Sequence, residues 1–199
     1  TKYTGTAQYV VIPDTVTSIG DRAFYDTKLT SITIPNTVTS IGDYAFLYCS
    51  GLTSITLPNS LKNIGYGAFF GCSKLTSIAI PANVTTIGAN PFGMCSESTS
   101  ITVDTNNTAY YSVDNCLINK STKELISGFN NSVIPEGVIS IGERAFQGCG
   151  LTSIIIPDSV TSIEQLAFSN CTGLTSIIIP SSVKSIGQQA FSRCSELTS

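Results

Sequence analysis

Apolar residues recur along this chain with a period near 23. Residues 29 to 51 read LTSITIPNTVTSIGDYAFLYCSG and residues 52 to 74 read LTSITLPNSLKNIGYGAFFGCSK, in step at every apolar position, and 151 to 173 and 174 to 196 repeat the pattern. Prolines at 13, 35, 58 and 81, then at 135, 157 and 180, keep a spacing of 22 or 23 with one long interruption. A fixed period in the twenties predicts a solenoid in which each unit supplies one coil.

Within a unit, Leu29, Ile32 and Ile34 have the in-out alternation of a short strand, and Pro35 ends it because proline has no N–H for a ladder. Val38 and Ile41 point inward from a second extended stretch, and Gly42 turns the chain. Ala45, Phe46 and Cys49 then stand at i, i+1 and i+4, which predicts a short helix or helical turn on the convex side. One coil buries too little to offset the entropy of ordering it, so the coils must stack, each strand pairing with its neighbour about 4.8 Å away. Phe24, Phe46, Phe69, Phe92, Phe146, Phe168 and Phe191 are then a core spine.

The interruption from 98 to 150 reads as an irregular coil pair with a hairpin insertion. Ser100 to Val103 supplies one strand, with Asp104 in place of proline, and Val133-Ile134-Pro135 supplies the next. Between them, Val113 to Ile118 and Glu124 to Ile126 flank the polar turn Asn119 to Lys123. The expected architecture over 1–199 is one α/β solenoid domain of about eight coils, a right-handed superhelix with a parallel concave sheet. The chain opens at Thr1 without a start Met or a signal peptide, and Leu197-Thr198-Ser199 begins a further repeat. It therefore reads as a fragment of a longer array, in which uncapped coils invite end-to-end self-association.

Units such as LTSITIPNTVTSIGDYAFLYCSG and LTSIIIPSSVKSIGQQAFSRCSE resemble the BspA-like, or Treponema pallidum type, leucine-rich repeats, through the core Ile-Pro-x-x-Val-x-x-Ile-Gly-x-x-Ala-Phe-x-x-Cys. The likeness spans residues 9 to 199, and the segment Asn107 to Leu117 ahead of the hairpin shares in it. The resemblance implies secreted or surface proteins of host-associated bacteria and some protozoa, several of them adhesins for matrix or host proteins. It carries no shared ligand motif, so no functional residue transfers. Glu164, where glycine is usual, and Pro91, where alanine is usual, depart from the pattern and predict local distortion.

Composition narrows the chemistry. Hydrophobic residues make up 42% of the chain, enough for a sizeable core, while only 12% are charged, against roughly 25% in an average domain. A net charge of −3 with scattered basic residues gives no stripe for nucleic acid. No apolar run approaches the roughly 18 residues that would predict insertion into a membrane. Histidine is absent, which removes Ser-His-Asp and Cys-His catalysis and most zinc sites. Cys49, Cys72, Cys95, Cys149, Cys171 and Cys194 share one repeat position, so their side chains point in parallel and read as buried free thiols; Cys116 stands apart. No cofactor is expected, and the chain does not read as an enzyme.

Two surface columns remain. The position after each first strand holds Asp104, Glu136 and Asp158 on successive coils, a carboxylate column that would suit a polysaccharide-binding or polysaccharide-active solenoid or a calcium ion. Outward strand positions form the other. One line reads Tyr9, Ser31, Ser54, Ser77, Ser100, Asn131, Ser153 and Ser176, and its neighbour reads Val11, Thr33, Thr56, Ala79, Thr102, Val133, Ile155 and Ile178, changing from hydroxyl to aliphatic at its C-terminal end. An apolar strip beside Asn131, Ser153 and Ser176 is suited to a protein partner. The leading reading is a cell-surface or secreted protein-interaction module that adheres through its concave face; a passive spacer and the polysaccharide reading are the alternatives.

Overall fold

A computed structural model describes residues 3, 5–97 and 100–198. Its described residues form fourteen short strands: β1 (Tyr9–Val11), β2 (Ser18–Ile19), β3 (Ser31–Thr33), β4 (Ser40–Ile41), β5 (Asn63–Ile64), β6 (Ser77–Ile80), β7 (Thr86–Ile87), β8 (Ser100–Val103), β9 (Tyr110–Val113), β10 (Cys116–Asn119), β11 (Glu124–Ser127), β12 (Ser140–Ile141), β13 (Ser162–Ile163) and β14 (Ser185–Ile186). They stack as a β-solenoid of about eight turns. The first strands pair in parallel as β1 with β3 and β6 with β8. The second strands form a longer column, β2-β4-β5-β7, which brings Ile19, Ile41, Ile64 and Ile87 into register. All four isoleucines are buried.

The side that follows the second strand carries no helix among the described residues, contrary to the spacing of Ala45, Phe46 and Cys49. Its amide groups alternate between two uses. Ala45, Leu47 and Cys49 donate to Gly42, Tyr44 and Phe46, three residues back, closing overlapping tight turns. Tyr44, Phe46 and Tyr48 instead donate to the carbonyls of Tyr66, Ala68 and Phe70 on the next coil, each at 2.8 Å. An α-helix needs every amide for the carbonyl four residues back. Tyr44 and Tyr48 also have positive φ (56° and 59°), which breaks a right-handed helix wherever it occurs. Overlapping turns and a helix place the same three side chains inward, so the apolar spacing alone does not separate them.

The interruption is a three-stranded antiparallel meander, β9-β10-β11. The expected strand from Val113 to Ile118 is split by the turn Asp114-Asn115, whose φ values of 48° and 59° are those of a two-residue type I′ hairpin. In the following turn, the Asn119 side-chain oxygen accepts from the amides of Ser121 and Thr122. β11 then joins β12 in parallel, and Leu125, Ile141, Ile163 and Ile186 continue the second-strand column through β13 and β14. Val133-Ile134-Pro135 forms no ladder; the Val133 amide donates to the Asp114 carbonyl at 3.2 Å.

Buried Asn107 ties the meander to the coil before it. Its Nδ2 donates to the carbonyls of Pro81 and Val84 at 2.8 and 3.0 Å, and its Oδ1 accepts from the amides of Ala109 and Tyr110 at 2.9 and 2.8 Å. The core divides at the same place. Phe24, Phe46, Phe69 and Phe92 stack with centroids 5.2 to 5.6 Å apart, and Phe146, Phe168 and Phe191 with 5.2 and 5.3 Å. Phe129 closes the first stack, tilted against Phe92 at 6.4 Å. Gly128 lies so close to the Phe146 ring that a Cβ there would stand 2.2 Å from it. Glu164 and Pro91 cause none of the expected distortion. The Glu164 amide reaches Ile141 as Gly187 reaches Ile163, and the Pro91 carbonyl accepts from Phe69 in step with its neighbours.

Candidate interaction surface

In-out alternation shapes the face of the first extended stretch, which at 153–157 and 176–180 keeps that alternation without forming a strand. Ile154 and Ile156 turn into the core, which leaves Ile155 between them 83% exposed. Ile178 is exposed to the same extent and Val133 to 61%; the equivalent positions in the earlier coils hold Val11, 58% exposed, and then Thr33, Thr56, Ala79 and Thr102. Asn131, Ser153 and Ser176 are exposed in the flanking line. The bond from Val133 to Asp114 sets exposed Val113, at the end of β9, beside the start of this apolar line. Sequence spacing did not place Val113 near this line, because its position depends on the unrecognised Asp114-Asn115 turn. A shallow depression of about 520 Å³ lies further along the first-strand side, between Thr56, Ala79 and Asp104.

The carboxylate column does not assemble into a metal cradle. Asp104 is engaged locally, its Oδ1 accepting from the Asn106 amide at 2.8 Å and from the Asn106 side chain at 3.2 Å. Glu136 and Asp158 are exposed, and no three His, Cys, Asp or Glu side chains gather at metal-binding distance among the described residues. The meander standing between Asp104 and Glu136 separates what the repeat count placed side by side.

All seven thiols are free. Each thiol of the repeat column donates to a carbonyl of the preceding coil: Cys49 to Phe24 at 2.9 Å, Cys171 to Phe146 at 3.1 Å and Cys194 to Phe168 at 3.1 Å. Burial pushes the Cys171 thiol up to about 12, and likewise Cys116. The six buried thiols are unreactive core groups, whereas Cys194 is partly exposed.

Coils of short parallel strands around an Ile, Leu and Phe core define the chain as a leucine-rich-repeat solenoid. The model of the BspA type leucine rich repeat region matches it in six copies, over residues 2–120 and 118–199. The chain belongs to the BspA-type leucine-rich-repeat family. It is similar to a leucine-rich repeat protein of Eubacterium ventriosum, at 32% identity and TM-score 0.84 over 96% of this chain and 52% of that one. A leucine-rich repeat protein of Bacteroides ovatus matches at 27% identity and TM-score 0.55, over 96% of this chain and 65% of the other. The pneumococcal vaccine antigen PcpA shares the fold at 21% identity and TM-score 0.71, with 96% and 61% covered. The chain thus spans about half to two thirds of the length of these relatives. No match is found among curated proteins. No helix in the described residues is long and apolar enough to cross a membrane.

Proposed function

We propose that the chain is an extracellular or surface-displayed protein-interaction module that adheres to a host or matrix protein, with Val133, Ile155 and Ile178 as its anchor. The observation that carries this reading is the 83% exposure of both isoleucines, above the 58% of Val11 in the same column, where the coils between hold Thr33, Thr56, Ala79 and Thr102. Threonine satisfies a solvated strand equally well, so the aliphatic side chains are not there for the fold. Membership of a repeat family and likeness to a vaccine antigen support the same reading. Asn131, Ser153 and Ser176 frame the strip with groups that form hydrogen bonds, in the manner of a polar rim.

The double substitution Ile155→Thr with Ile178→Thr removes about 2 kcal/mol of apolar burial at an interface, roughly thirtyfold in affinity. Surface plasmon resonance against a panel of purified matrix proteins measures it. A matrix protein that binds the unaltered chain and loses at least tenfold with the double variant, at an unchanged melting midpoint, supports the assignment. Binding that ignores the substitutions, or no binding to any of the panel, overturns it.

A further inference from the structure

The turn side of the coils carries a second surface, distinct from the first-strand strip and independent of the function proposed for it. Two depressions, of about 370 and 480 Å³, share Tyr48 and Gln147 and so form one trough along the array. All three arginines of the chain, Arg22, Arg144 and Arg193, line this trough, and no lysine among the described residues does. Its lining includes no Asp or Glu, in a chain that carries 13 of them against 10 basic residues. At its edge, Glu143 pairs with Arg144 at 3.2 Å and accepts from the Tyr66 hydroxyl at 3.5 Å.

The trough is built, not incidental. Arg22 lies over the Tyr44 ring and Arg144 over the Tyr66 ring, each 5.5 Å from the centroid, and the two tyrosines meet edge to face at 5.2 Å. Stacking of this kind fixes guanidinium groups before a ligand arrives. Arg22, Tyr44, Tyr48, Asn90, Arg144 and Arg193 all have positive φ, between 52° and 60°. A side chain in this left-handed region is strained relative to glycine, and the third coil shows that glycine serves the same turns, at Gly67 and Gly71. These glycines also make room. A Cβ on Gly67 would meet the Tyr44 ring at 2.8 Å and one on Gly71 the Tyr48 ring at 2.4 Å, so the rings lie down along the floor. At the centre, Asn90 is 2% exposed; its Nδ2 donates to Gln147 Oε1 at 3.0 Å, while its buried Oδ1 has no hydrogen-bond partner.

We infer that this trough binds an elongated acidic oligosaccharide. The exposed Tyr48 ring supplies a flat surface for a sugar C–H face, the amides of Gln147, Asn170 and Gln189 meet hydroxyl groups, and the arginines stacked on Tyr44 and Tyr66 take carboxylate or sulfate. An acidic peptide is the poorer fit. The backbone beneath the trough is committed to the coil-to-coil ladder and offers no strand edge, and the mixed Tyr, Arg and amide lining gives an apolar side chain no enclosed pocket.

The whole chain, titrated by calorimetry with oligogalacturonate, chondroitin sulfate oligosaccharide, maltohexaose and poly-glutamate, tests the inference. Binding of at least one acidic oligosaccharide, ten times tighter than maltohexaose and poly-glutamate, is expected; equal binding of the two acidic sugars assigns the carboxylate, and preference for the second the sulfate. Arg22→Gln with Arg144→Gln should weaken it at least tenfold, and exposed Arg193→Gln, as a separate variant, at least threefold, with melting midpoints checked for both. No binding of either acidic sugar, equal or tighter binding of poly-glutamate, or affinity unchanged in both folded variants overturns it.

Discussion

Replacing Asn107 with alanine isolates the device that joins the meander to the regular coils. The side chain is 1% exposed and makes four hydrogen bonds, two donated to the turn Pro81 to Val84 and two accepted from the amides that lead into β9. Water cannot take over inside this site, so each lost bond costs about 1 kcal/mol net and the whole about 4 kcal/mol. For a chain of this length that lowers the melting midpoint by roughly 10 °C, at about 2 to 4 °C per kcal/mol. Asn107→Asp keeps an acceptor for the two amides but turns a carboxylate toward the Pro81 and Val84 carbonyls, so it falls at least as far at pH 7. Circular dichroism gives the midpoint, and hydrogen exchange reads the amides of Ala109 and Tyr110, which should lose protection before those of β4 and β5. A midpoint lowered by less than 2 °C, or protected amides at 109 and 110, would refute the assignment of Asn107 as the tie.

Two further outcomes are expected. Burial and the charge of Glu164 both raise the Glu124 carboxyl above its ordinary range. The folded chain therefore favours the protonated acid, a contribution present below the unfolded pKa and lost as pH rises through the folded one. Glu124→Gln should accordingly raise the melting midpoint at pH 7 and change it little at pH 3.5; an equal effect at both values would sink the argument. Burial raises the Cys49, Cys72, Cys116, Cys149, Cys171 and Cys194 thiols alike, but only Cys194 is partly exposed, so a disulfide reagent at pH 8 should modify it first and reach the others only on unfolding in guanidinium. Rapid modification of Cys171 in the native chain would contradict this.

The repeating strands were legible because a period of two inside a period of 23 has few physical solutions. Leu29, Ile32 and Ile34 are buried as their alternation requires, and the phenylalanine column stacks as its recurrence implies. The supposed helix was not legible, because Ala45, Phe46 and Cys49 face inward in a helix and in overlapping turns alike. A clue lay in the residues between them. Gly67, Gly71 and Asn90 favour left-handed backbone, yet Tyr44 and Arg22 hold the equivalent positions and hide the signal. Asp114-Asn115 was a sounder missed cue, since that pair is well suited to a two-residue hairpin turn. The exposed strip could be written down from the pleat alone. The trough could not, because it joins Arg22, Tyr66 and Arg144 across coils on either side of the meander, and their meeting depends on how the interruption folds.

The alternating amides on the turn side bear on how such arrays change length. Tyr44 donates to Tyr66 as Gly67 donates to Ala89, so excision of one whole 23-residue unit would hand Tyr44 the carbonyl of Ala89 and leave no donor stranded. Unequal recombination between near-identical repeats can thus lengthen or shorten the array without rewriting its backbone bonding. Side chains do not share that indifference. Tyr44 lies flat only because Gly67 is beneath it, and after such an excision it would meet Asn90 instead. Reach can vary by whole coils in this architecture, while any surface assembled across coils is tied to one particular repeat order.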